Sequence, residues 1–162
     1  MSTETTFSVL TQNIDNNHLE NVELFQYALW DKPGEVQFFY DINKPGSILM
    51  SVFNSRISGV GKMVKSTQLS SYVSREVDLI KLDVEGSEFM VLMDLFQNDK
   101  FQFIHKMIIE YHHHTLIADD RLAKFLSILE ESNFGYQIFT SPQSPIHEAG
   151  YQDIHIYAYR KS

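Results

Sequence analysis

Two short stretches of this sequence carry the residue types that do chemistry. The first is Asp83-Val84-Glu85-Gly86-Ser87-Glu88, with three carboxylates in six residues beside a glycine. It follows an apolar run and opens a helical pattern. On a strand, Asp83 and Glu85 would share a face. Such a cluster can hold a cation, a ligand amine or hydroxyl groups, and one member can act as a general base. Helix capping explains the same residues more plainly, since Asp, Ser and Glu all suit a helix start. The second stretch is Glu110-Tyr111-His112-His113-His114. Glu110, His112 and His114 share a face if the strand continues. Imidazole with carboxylate suits a proton shuttle or a metal site. Neighbouring histidines on a strand point apart, so the run makes a poor chelate and no metal site is assigned. A substrate or acid–base role for one of them is favoured; a solvated loop is the plainer alternative.

Other residues carry less. Trp30 ends a strand and suits packing better than stacking on a ligand ring. His18, His105, His147 and His155 are scattered and read as structural or exposed. Gly59-Val60-Gly61-Lys62 falls short of a phosphate-binding loop, and no strand is read before it.

The elements that must position these clusters come from two alternating periods. Residues 5–18 predict a helix, with Phe7, Leu10 and Ile14 on one face. Asn16-Asn17 weaken its end. Residues 21–30 predict a strand, Pro33-Gly34 a type II turn, and residues 34–40 a second strand antiparallel to the first. Residues 41–70 read as a loop with one short strand around 61–66. Residues 77–83 predict a buried parallel strand. Gly86 turns the chain and Ser87 caps a helix with Phe89, Leu92, Met93 and Phe96 inward. Residues 103–111 predict another buried strand. Asp119 caps a helix with Leu122, Phe125, Leu126 and Leu129 inward, which Gly135 terminates. Residues 136–140 and 154–160 are closing strands, the last with Ile154, Ile156 and Ala158 on one face. Strand–helix alternation implies an α/β fold with a largely parallel sheet. The final pair places an antiparallel strand at an edge. Ligands then sit at the carboxyl ends of strands, at the end of 21–30, at 83–87 and at 110–114.

Composition narrows the classes. The chain has 162 residues, enough for one domain, 1–162. The hydrophobic fraction is 43%, which a disordered chain would not reach. No cysteine is present, which excludes disulfides and thiolate metal sites and fits a cytoplasmic setting. A net charge of −8 argues against a nucleic-acid partner. No apolar run of membrane-spanning length is present and the first residues do not read as a signal peptide, so no membrane partner is expected.

VDLIKLDVEGSEFMVL (77–92) resembles the strand–turn–helix hallmark of FkbM-type methyltransferases, S-adenosylmethionine-dependent enzymes with the class I, Rossmann-like fold. The helix, strand and Gly-turn-strand of 7–41 and the segment IIEYHHH (108–114) resemble neighbouring parts of that family. The resemblance runs from about Phe7 to Tyr159. It implies methyl transfer by in-line displacement at a sulfonium, O-directed onto a small-molecule or carbohydrate hydroxyl. It implies Asp83, Glu85, Glu110 and His112 at the reacting centre, with His112 accepting a substrate proton. It places Ala28 and Leu29 near the adenine, Asp83 at the cofactor, and Glu88 as support for the helix start. The chain departs from the family pattern in two ways. The family's first strand with its glycine-rich cofactor loop, and its second strand, are absent, on the order of 60 residues. The expected fold is thus a partial sheet lacking two strands between 21–30 and 77–83, which exposes edges. A homodimer or a partner chain would cover them. Leu69-Ser70-Ser71 also stands where family members often have Leu-Asp-Asp. Two other readings stay open: a non-catalytic interaction module of the same fold, and a metal-binding domain using Asp83, Glu85, His112 and His114.

Overall fold

The helices and the strands of the second half form close to where the apolar periods predict, and the strands assemble into two sheets. The computed structural model describes residues 4–40, 50–51, 60–113, 121–140 and 152–162. Helix α1 spans Glu4–Asn16 and ends with His18 in the left-handed region at φ 53°. The amide of Leu19 closes that end on the Ile14 carbonyl at 3.2 Å.

The first sheet contains β1 (Ala28–Leu29), β2 (Gly34–Tyr40), β3 (Met50–Ser51) and β4 (Val60–Thr67), in the order β1-β4-β2-β3. Three expectations change here. The predicted strand 21–30 is regular only over Ala28–Leu29. Strand β2 does run antiparallel to β1, but β4 lies between them, parallel to β1 and antiparallel to β2. The short strand expected around 61–66 is the eight-residue centre of this sheet. Its glycine and lysines hid it, because its pattern lacks a clean apolar alternation. At Gly61 a Cβ would meet only the flexible, exposed Gln37 side chain on β2, which can swing aside. Most of the rest of 41–70 lies outside the described residues.

The second sheet holds the main core. Strand β5 (Val77–Leu82) leads through α2 (Glu88–Gln97) to β6 (Ile104–His113), then through α3 (Leu122–Glu131) to β7 (Phe134–Thr140) and β8 (Gln152–Arg160). The order is β5-β6-β8-β7, with β5 and β6 parallel and β8 antiparallel to both its neighbours. The antiparallel strand is therefore interior, and β7 is the edge. Ile154, Ile156 and Ala158 face inward as their alternation predicts. Val91, Leu92 and Leu95 of α2 and Phe125, Ile128 and Leu129 of α3 pack on that same face.

The cap residues were read less well. Ser87 precedes α2, but its hydroxyl bonds the Val84 carbonyl and makes no cap. Asp119 lies outside the described residues. Gly135 does not end α3; Asn133, with φ 63°, makes that turn, and Gly135 lies in β7 under the Tyr159 ring.

Away from the strand ends that hold His112, the other face of the second sheet is largely exposed among the described residues. The registers put Leu79, Tyr157, Tyr159 and Phe139 on it. Leu79 is 50% exposed and Phe139 55%. The expectation that 77–83 is buried on both faces is thus corrected. A two-sided apolar strand needs layers on both sides, and here only one side has them.

Asp94 of α2 joins the two sheets. It is buried and accepts from the Ser70 amide at 2.8 Å, the Ser70 hydroxyl at 2.7 Å and Gln68 Nε2 at 2.8 Å. Gln68 also donates to the Asp31 carbonyl at 3.0 Å. Leu69-Ser70-Ser71 forms a short 3-10 turn that presents these donors. A carboxylate at 70 would face Asp94, so the small hydroxyl suits this neighbour. Removing the acceptor strands several buried donors. Asp94→Ala is expected to lower stability by about 3 kcal/mol in urea denaturation.

Candidate functional site

The site forms where β5 and β6 end. Register pairs Leu82 with Ile109, so Asp83 leaves β5 beside Glu110. Met107, Ile109 and Tyr111 of β6 turn into the core, and Tyr111 stacks on Phe125 with centroids 4.7 Å apart. Glu110 and His112 consequently point to the opposite face. Across the antiparallel pair, His112 lies opposite Asp153 of β8.

The turn after β5 has unusual backbone. Glu85 is in the left-handed region at φ 57°, and Gly86 follows at φ 109°. Residue 86 needs glycine; residue 85 does not have it, so its backbone is strained. The turn brings Glu88, the first residue of α2, over the end of β6. There His112 Nδ1 and Glu88 Oε1 are 2.7 Å apart, with side chains 1% and 2% exposed. An ionised carboxylate only accepts, so the ring nitrogen donates. The Gly86 amide donates to the same oxygen at 2.9 Å.

This contact sets the direction of Nε2. That atom stands 3.4 Å from Glu85 Oε2, 3.8 Å from Asp153 Oδ1 and 4.0 Å from Glu110 Oε1. Asp83 is held by Lys81 through Oδ2 at 2.7 Å. One buried imidazole is therefore ringed by carboxylates from β5's turn, α2, β6 and β8. Such a ring nitrogen can take a proton from a hydroxyl or join a cation.

The structure gathers Asp83, Glu85, Glu110 and His112 into one cluster. It adds Glu88 and Asp153. Sequence reasoning treated Glu88 as helix support and passed over Asp153. The only available signal for Asp153 was its phase, one residue ahead of the Ile154-Ile156-Ala158 alternation. His114 lies outside the described residues. Ala28 and Leu29 are not in this sheet: they form β1, where Ala28 is buried with Phe38.

The chain matches the family model described as the methyltransferase FkbM domain over residues 5–138. It belongs to that family. No curated protein and no solved structure gives a match. The described residues do not fit S-adenosylmethionine as a set. No glycine-rich loop joins a strand to a helix among them, and the two residues expected near the adenine lie in the other sheet.

Two carboxylates three residues apart should respond oppositely to deletion. Glu88→Ala leaves a buried ring without its acceptor and is expected to cost about 3 kcal/mol. Glu85→Gly relieves the left-handed backbone and should be neutral or stabilising by about 1 kcal/mol. Paired urea titrations of the two variants measure both.

Proposed function

We propose that the chain is the acceptor-side part of an O-directed, S-adenosylmethionine-dependent methyltransferase, acting on a small-molecule or carbohydrate hydroxyl. The observation that carries this is the buried His112, oriented by Glu88, at the carboxyl ends of two parallel strands in a member of a methyltransferase family. That is where ligands bind in open α/β sheets. In the metal-free site Nε2 is the atom placed to receive the proton of an acceptor hydroxyl. Glu85, Glu110 and Asp153 stabilise the positive charge that forms on the ring.

A class I, Rossmann-like arrangement belongs to the same reading. The β5–α2–β6 unit and the inserted antiparallel β8 support it. The outer edge of β5 is where the reading places two further strands. A second copy or a partner chain completes the donor site. The absence of cysteine accords with a cytoplasmic location. No helix among the described residues is long and apolar enough to cross a membrane.

A second reading is a non-catalytic interaction module, which rests on there being no glycine-rich strand-to-helix loop among the described residues. Calorimetry of the purified chain with S-adenosylmethionine separates the two. Saturable binding with Kd on the order of micromolar, about −8 kcal/mol, is expected for the enzyme. A folded chain that gives no heat beyond dilution up to millimolar overturns the reading that this chain, alone or as a dimer, holds the donor, and leaves the module or an enzyme completed by a different chain.

A further inference from the structure

We infer that the carboxylate–histidine cluster is a divalent-cation site, with Asp83, Glu110 and Nε2 of His112 as ligands and Glu88 holding the ring from behind. The three ligand atoms lie within 4.8 Å of one another.

Three independent features point to an ion. The first is spacing. Between two of the proposed ligands, Nε2 and Glu110 Oε1, the separation is 4.0 Å, and Asp83 completes a set of ligand atoms within 4.8 Å of one another. Such spacing suits donor atoms that share one ion, since ligands bonded at about 2.1 Å stand roughly 3–4 Å apart. The second is orientation. A metal-bound histidine characteristically donates its other nitrogen to a carboxylate, which fixes the tautomer. Glu88 meets His112 Nδ1 in that way, and both side chains are out of solvent. The third is charge. Five carboxylates, Asp83, Glu85, Glu88, Glu110 and Asp153, converge on one ring, and Lys81 engages Asp83 through Oδ2. Gathering like charges around a buried group is unfavourable unless a cation joins them.

The donor set names the ion's class. Imidazole with carboxylates and no thiolate suits manganese or zinc rather than a soft ion. Asp83 binds through Oδ1, the oxygen Lys81 leaves open. With an ion bound, the lone pair of Nε2 is committed to it. A hydroxyl on the ion would then give its proton to a flanking carboxylate. The cation site itself does not rest on the methyltransferase reading, and no methyl donor enters its test.

The probe is manganese added to the full chain after chelator treatment, followed by paramagnetic resonance and thermal melting. One ion per chain is expected, with a melting temperature that rises and falls back on adding chelator. Asp83→Asn and Glu110→Gln, at half-exposed side chains that do not support the core, should each weaken binding about tenfold or more. Glu131→Gln, at the far end of α3, should leave it unchanged. Loose binding of several ions, or equal weakening by all three substitutions, overturns the proposal. So does a nitrogen NMR spectrum in which both His112 nitrogens carry protons and ignore added manganese, since a proton then fills the place of the ion.

Discussion

The buried hydrogen bond between Glu88 and His112 is the constraint on which the site depends. Glu88 opens α2, and His112 ends β6. Joining them sets where the helix begins relative to the sheet, and it turns Nε2 toward the carboxylates. Burying an ionised group is tolerable only when it is paired and hydrogen-bonded. The Gly86 amide on the same oxygen supplies the second bond. The strained φ of Glu85 follows from the same demand. The chain must turn sharply between β5 and α2 for Glu88 to reach the ring, and the left-handed residue makes that turn.

A second polar contact organises the larger scale. Asp94, two turns further along α2, takes its hydrogen bonds from the turn that follows β4. One helix thus holds the carboxylate–histidine cluster at its start and contacts the turn after the first sheet's β4 at its middle. The neighbouring apolar residues of α2, Val91, Leu92 and Leu95, supply the burial that makes both polar contacts worthwhile. The largely exposed face of the second sheet is the counterpart. Helices α2 and α3 lie on one side, and among the described residues Leu79, Phe139, Tyr157 and Tyr159 are exposed on the other.

Much of this was determined by the sequence alone. Period decided that α2, α3 and the alternating β8 form, although in α2 Val91 and Leu95 are buried beside Leu92 while Phe89, Met93 and Phe96, expected inward, are only partly buried. The motif from Asp83 to Glu88 and the Glu110-Tyr111-His112 stretch were legible because carboxylates and histidines at strand ends have little reason to be there for packing. Family membership was also legible, since the strand–turn–helix hallmark is local.

Tertiary structure decided what depends on distant pairing. The place of β4 between β1 and β2, and of β8 between β6 and β7, comes from long-range registers that no local pattern encodes. Asp153 enters the site only because β8 runs antiparallel to β6 and sets it opposite His112. Glu88 could be read as a helix-start residue until the fold put it 2.7 Å from a buried ring. Residue type specifies which chemistry a side chain can do; only the packed sheet specifies which side chains meet.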